Sequence, residues 1–437
     1  METSRSLTPI INEEEFLPLV QEKCQNFMAI LSVHQDETMS VNKLYYFTLL
    51  QEAERLEGFL DDHGARSNKR WFGFAELVAC VRNFAMAGFH LYHVLDRYSD
   101  YLAGESTQLS REFQDSAYKT LERFSAVFNR FYQTLVEEAA SQGVSIFTKP
   151  MATGQWDLKV TPQLPYTLTD GEDTLEEDER LISIAQSYRK AVRAFRESRL
   201  DRKVKAASLG EIIPSRLNET LFAEFETRLH SIQSEYDTYI KGGKVWKHDE
   251  RANRLRGLTA IPMHLFDFLR WLAHFYERHE SDNRKSQLKE RIASIAPDEE
   301  LLNIILNFGL RFSGKYLGEG VKVAERILTS FVKPISYELP IPKPQGFHAR
   351  PATYVSLVVQ EHGTDVFMLV NGEKYDCRSV LDLLQAGGAV ADHSLNTVVF
   401  EGDRRALDDL KILAENNYCE DRDIPQELSY LRILRNL

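Results

Sequence analysis

The sequence predicts a multidomain protein: an N-terminal all-α helical bundle or array, then a C-terminal α+β open-faced sandwich. Three observations predict it. Apolar residues recur at spacings of three and four from 12 to 141 and again from 175 to 331. A stretch rich in proline and glycine, 144–170, interrupts that period. After Pro334, short β-rich runs alternate with short helical ones. The composition agrees: 437 residues, 43% hydrophobic and 27% charged, rule out disorder as the dominant state. The 53 Lys+Arg against 65 Asp+Glu give a net charge of −12, which argues against a dedicated nucleic-acid binder. The expected boundaries are 1–145 for the first helical half, 146–174 for a linker, and 175–333 for the second half. A sandwich at 335–419 and a tail helix at 420–437 complete the chain.

Segment 13–32 starts after Asn12 with three glutamates, which suit a helix N-terminus and its dipole. Segment 41–62 places Leu44, Phe47 and Leu50 at helical spacing and ends near Gly64. Segment 69–102 carries a broad apolar stripe through Phe74, Leu77, Val81, Phe84, Phe89 and Val94. Segment 107–141, with Leu121, Phe124, Phe128, Phe131 and Leu135, stops before Gly143. These four are of bundle length. Prolines 150, 162 and 165 mark the linker, and the acidic run 170–179, with seven carboxylates, reads as a solvated lead into the next helix.

Helical period resumes over 175–208, 215–241, 250–280 and 285/298–331. The order of lengths echoes the first half. Residues 71–98 and 256–280 are both long and aromatic-rich and end in a His/Tyr/Arg cluster, so a duplicated four-helix unit is one reading. Pro262 starts or kinks the second of them.

In the sandwich, 335–342 is strand-like, with prolines that confine it to an edge. Residues 364–370 form a second strand, Asn371-Gly372 a two-residue hairpin turn, and 373–377 the return strand. Residues 396–402 are a fourth strand. Helices are expected at 349–362, 379–387 and 403–416, giving the order β-α-β-β-α-β-α.

Cysteines at 24, 80, 377 and 419 have neither CxxC nor metal-knuckle spacing and fit a reducing compartment. No secretory leader is visible, and the most apolar stretches are broken by Arg82, Asp267 and Arg270. A cytoplasmic protein without membrane insertion is expected.

One segment carries chemistry: Gly346-Phe347-His348-Ala349-Arg350-Pro351-Ala352. His348 stands directly before a predicted helix, close to its N-cap. Ala349, Arg350 and Pro351 form the first turn, where proline costs little. First-turn N–H groups, those of Ala349 and Arg350, and the positive end of the dipole make an anion site. Arg350 supplies a planar fork for phosphate oxygens. Phosphoryl transfer needs mainly positioning and charge stabilisation. The segment therefore suits a transient phosphohistidine.

The run GFHARPAT resembles the active-site signature of the HPr family, the small histidine-containing phosphocarriers of the bacterial phosphoenolpyruvate:sugar phosphotransferase system. Arg378-Ser379-Val380-Leu381 resembles the segment opening that family's second helix. The resemblance covers 335–419, roughly one fifth of the chain, and the element order is the family's. It implies that His348 accepts phosphate from phospho-enzyme I through Nδ1 and that Arg350 stabilises it. It also implies sugar-specific enzyme IIA or an HPr kinase as partners, with Ser379 as a regulatory phosphorylation site. Departures are Gln345 before the glycine, Arg378 where lysine is common, a longer 389–396, and Asp382 in a usually apolar patch. A serine that opens a helix is also an ordinary N-cap.

Other motifs read as structural. His90 and His93 share a helix face, and His274 and His279 stand five apart, but neither pair has the Glu-x-x-His of bundle di-metal sites. No metal or cofactor is expected. The basic run 241–256 and His248-Asp249 read as a solvated connection. The tail 423–437, with Leu428, Leu431 and Leu434, reads as a short amphipathic helix docking on the helical region.

The function expected is that of a phosphocarrier-type signalling or regulatory protein rather than a turnover enzyme. His348 would report phosphotransferase status, and the helical domain would pass it to an unidentified protein. The alternatives are a binding scaffold that is never phosphorylated, and an enzyme in the helices regulated by the sandwich.

Overall fold

A computed structural model of the chain describes residues 10–36, 41–102, 107–147, 164, 174–198, 200, 217–280, 286–332 and 334–435. The protein is mostly helical, with one four-stranded antiparallel sheet towards the C-terminus. Most of the expected linker, much of the acidic run and the stretch 201–208 lie outside the described residues.

Helix α1 (Glu13–Lys23) opens at Asn12 with a capping box: the Asn12 side chain accepts from the Glu15 N–H, and Glu15 accepts from the Asn12 N–H. The single helix expected over 13–32 breaks at Cys24 and restarts as α2 (Gln25–Leu31). Next come α3 (Lys43–Asp62), capped by Asn42, α4 (Phe72–Tyr101), and α5 (Gln108–Ser141), capped by Thr107. The second series runs α6 (Thr174–Glu197), α7 (Glu219–Tyr239), α8 (Lys244–His248), α9 (Glu250–Glu280), α10 (Ser286–Ile295) and α11 (Asp298–Asn303). A π-helical stretch, Ile304–Leu310, leads into α12 (Arg311–Ser330). Pro262 lies inside α9 without ending it.

These elements group into two compact units. One comprises Met1–Tyr166, Arg199–Ser231 and Gly257–Leu317; the other comprises Thr167–Ser198, Ile232–Arg256 and Gly318–Leu437. In the first, the aromatic stripes are core: Phe74, Phe84, Phe124, Phe128 and Phe131 are buried, and the Phe84 and Phe124 rings meet edge to face at 5.1 Å. Helix α4 is long and apolar enough, by length and composition, to cross a bilayer, and 67% of its most apolar window is buried within the protein.

The second unit holds the sandwich: β1 (Pro334–Pro340), α13 (Ala349–His362), β2 (Val366–Val370), β3 (Glu373–Asp376), α14 (Val380–Asp392), β4 (Thr397–Asp403) and α15 (Arg404–Glu415). The strand order is β1-β4-β2-β3, every pair antiparallel. Strand β1 is an edge, and its prolines sit at its two ends, where a missing N–H costs least. The hairpin turns through Asn371 (φ 49°) and Gly372 (φ 87°), the double positive φ that matches the twist of the strands it joins. Val355, Val358 and Val359 of α13, Leu383 of α14 and Leu407 and Leu410 of α15 bury against Val366, Met368 and Phe400.

The tail corrects an expectation. Leu428 and Leu431 are fully buried in the core of the sandwich rather than on a helical domain. The last helix, α16 (Tyr430–Arg435), is tied down by the Tyr430 hydroxyl donating to Asp409 Oδ2 at 2.8 Å. A left-handed turn at 417–419 sends the chain back over its own module before the leucines arrive. The Leu434 side chain lies outside the described residues.

Candidate functional site

The loop that presents His348 is fixed from two sides. Gly346 adopts φ +67°, a conformation a side chain would disfavour. Phe347 then buries its ring against Phe400 and Tyr418, at centroid distances of 6.2 and 5.1 Å. With Phe347 pinned inward, the next residue must point outward. His348 has extended backbone angles (φ −88°, ψ −171°) and is the N-cap of α13; its carbonyl accepts the first helical bond, from the Ala352 N–H at 3.1 Å. Its side chain is 33% exposed and makes no capping bond to the helix. The N–H groups of Ala349 and Arg350 precede the first intrahelical acceptor and face outward with exposed residues, and Pro351 has none to offer.

Opposite this helix end stands a residue the sequence reading did not single out. Glu420 Oε2 lies 2.8 Å from His348 Nε2, off the hydrogen-bonding direction. Arg350 Nη1 donates to the Glu420 carbonyl at 3.0 Å and stands 3.8 Å from Glu420 Oε1. His348 Nδ1 has no hydrogen-bond partner among the described residues.

Glu420 is delivered by backbone strain. Asn417, Tyr418 and Cys419 take φ values of 50°, 51° and 56°, three consecutive left-handed residues without a glycine. Asn417 holds them: its Oδ1 accepts from the Lys343 N–H and its Nδ2 donates to the Lys343 carbonyl, both at 2.8 Å. Tyr418 is buried, and its hydroxyl donates to the Pro340 carbonyl at 2.9 Å. The segment 340–348 and the turn 417–420 are thus one structure. No periodicity marks this turn; the signal that could have found it is Asn417, a residue that tolerates left-handed backbone.

Ser379 is the N-cap of α14. Its Oγ accepts from the Asp382 N–H at 3.1 Å and donates to Asp382 Oδ1 at 2.8 Å. The neighbouring Arg378 pairs with Asp365 at 3.2 Å.

In the basic run, Arg251 pairs with Asp249 at 2.7 Å and Arg256 with Asp237 at 3.0 Å. His274 Nδ1 meets Glu219 at 2.6 Å, and the His279 side chain lies outside the described residues. His90 and His93 of α4 meet α9: His90 Nδ1 is 3.5 Å from Asp267 Oδ2, and His264 Nδ1 is 3.9 Å from the same oxygen. The His93 ring stands edge-on to His264 at 4.3 Å, with Lys43 Nζ 2.5 Å from its Nδ1 and the Tyr101 hydroxyl 3.1 Å from its Nε2. Burial, reinforced by neighbouring cationic groups, pushes His90 down to about 3 and His93 to about 4. Burial, with Glu226 nearby, raises Asp267 to about 7 against the opposing pull of Arg270.

Comparison of the chain with protein families, with curated proteins and with solved structures returns no match.

Proposed function

We propose that this chain is a phosphohistidine protein of the phosphotransferase type, in which an HPr-like module accepts a phosphoryl group on His348 Nδ1 from phospho-enzyme I. One observation carries the reading: a half-buried imidazole caps a helix whose first two N–H groups are open, with Nε2 turned to a carboxylate and Nδ1 unengaged. A phosphoryl group on Nδ1 would meet the positive end of α13 and the guanidinium of Arg350. The β-α-β-β-α-β-α order supports the resemblance carried by GFHARPAT.

The role we assign is regulatory. The sandwich shares its unit with α6, which grips the far end of α13 through Arg189 and Arg193, so it is not built as a free shuttle. Phosphorylation adds roughly −2 charge at the α13 N-terminus, and a protein partner that distinguishes the two states reads it out. A cytoplasmic location belongs to the same reading, since phospho-enzyme I would have to reach His348.

The test is to incubate the full chain with enzyme I and labelled phosphoenolpyruvate beside His348→Ala. Acid-labile, alkali-stable label on the wild type alone is the expected result. Label on neither protein overturns the reading in favour of an unphosphorylated binding scaffold.

A further inference from the structure

Helix α4 supplies His90, and α9 supplies His264 and Asp267, whose i, i+3 spacing sets them on one face. Potential donor atoms of the three residues all lie within 4.8 Å of one another. Asp267 Oδ2 is the hinge, 3.5 Å from His90 Nδ1 and 3.9 Å from His264 Nδ1. A tetrahedral ion with bonds of about 2.1 Å holds its donors roughly 3.4 Å apart. The two histidine nitrogens stand within about half an ångström of that spacing from Asp267 Oδ2, and side-chain shifts of at most about 1.4 Å would close the whole set around one ion. The side chains are largely but not wholly buried, 16–17% exposed. All three residues belong to the same compact unit.

We propose that His90, His264 and Asp267 form a binding site for a divalent transition metal of the zinc class. Two imidazoles and one carboxylate are a nitrogen-rich, borderline donor set that suits such a metal better than magnesium or calcium, which favour oxygen. Three protein ligands leave at least one position for water or an exogenous ligand. His93, fixed by Lys43 and Tyr101 against the His264 ring, props that ligand from outside. The nearby charged groups are mixed in sign: Glu226 acts on Asp267, and Lys43 and Arg270 act on His90.

The experiment strips the full chain with a chelator and titrates it with Zn2+ against a chromophoric competitor, then with Co2+ while its visible absorption is followed. One ion per chain is expected, with the intense Co2+ bands of a low-coordinate site. His90→Gln, His264→Gln and Asp267→Asn should each weaken binding by roughly 100-fold or more, beyond the 10–100-fold of an outer-shell change. Asp267→Glu, which keeps the carboxylate, should lose less, and His348→Ala should lose nothing. Zn2+ should raise the thermal midpoint of the wild type and leave that of the ligand variants unmoved. A wild-type chain that takes up no stoichiometric Zn2+ overturns the proposal without any variant. So does binding that survives all three ligand changes, or that is lost with His348 instead.

Discussion

The charge at Glu420 offers a quantitative test of the His348 site. The perturbation is Glu420→Gln, which keeps shape and hydrogen-bonding capacity and removes one negative charge 2.8 Å from His348 Nε2. A phosphoryl group on Nδ1 would sit across the ring, roughly 6 Å from that carboxylate. Two phosphate charges facing one carboxylate at a solvent-like dielectric repel by about 2 × 332/(80 × 6), or ~1.4 kcal/mol. Removing the carboxylate should therefore shift the phosphorylation equilibrium about tenfold towards phosphohistidine at low salt. Because the pair is partly solvent-exposed, the shift should shrink at high ionic strength. The assay holds the chain at equilibrium with a phospho-donor of fixed phosphoenolpyruvate:pyruvate ratio and measures the labelled fraction for both proteins in low and high salt. A labelled fraction that falls in the variant, or that does not respond to salt, refutes the electrostatic account of Glu420.

Two further outcomes follow from single side chains. His34 is stacked on Phe128 at 5.0 Å with Nδ1 bonded to Ser125 Oγ at 2.8 Å, and burial pushes it down to about 3. The unfolded chain, titrating near 6.5, therefore binds the extra proton first, so stability contributed here is lost as pH falls from 6.5 towards 3. That loss is about 2 kcal/mol between pH 7 and pH 5, and urea titrations at the two pH values should show His34→Gln less acid-sensitive than the wild type by that amount. Ser379→Ala should cost ~1 kcal/mol of stability through the lost cap of α14, and Ser379→Asn much less, since asparagine caps as well and sets no second carboxylate against Asp382. Equal losses for the two variants in a denaturant titration would show that capping is not what Ser379 contributes.

The sandwich was legible because each of its elements has a local cause. The Asn371-Gly372 turn fixes the hairpin, prolines at both ends of β1 fix the edge, and helical period gives 349–362 to the residue. His348 was legible for the same reason: a histidine between a loop and a first-turn proline is a local pattern. Glu420 was not, because its place depends on a non-glycine left-handed turn in which Asn417 bonds to Lys343, 74 residues away in sequence. The metal-type cluster divides in the same way. His90 and His93 stood out as a helix pair, and Asp267 as a charge interrupting an apolar stretch, but that α9 brings Asp267 and His264 to α4 is a fact of packing. The grouping of helices into two interleaved units is likewise set by contacts between distant segments, which no local period encodes.

The far end of α13 decides how a change at His348 could travel. There Arg189 donates to the Glu361 carbonyl at 2.8 Å and to the Gln360 carbonyl at 2.7 Å, and Arg193 pairs with the Glu361 carboxylate. Gly363, left-handed at φ +71°, lets the guanidinium lie over the helix end: a Cβ there would stand 2.2 Å from Arg189 Nη1. Arg189 thus satisfies carbonyls that the helix leaves open and places a cation where the dipole favours one. Arg189→Ala removes two charge-assisted bonds worth ~1.5–3 kcal/mol each at most, so a loss of about 3 kcal/mol is expected, with amide exchange faster at 356–363. His348 sits 14 residues away, about 21 Å along the axis, beyond two Debye lengths at 0.1 M salt. The dipole contribution of an end charge fades within one turn, so phosphorylation of His348 should be unchanged by Arg189→Ala. If the variant instead shifts the phosphorylation equilibrium several-fold, α13 itself carries the coupling. If it does not, the proposed phosphorylation is felt only at the N-terminal end of α13, where Glu420 stands.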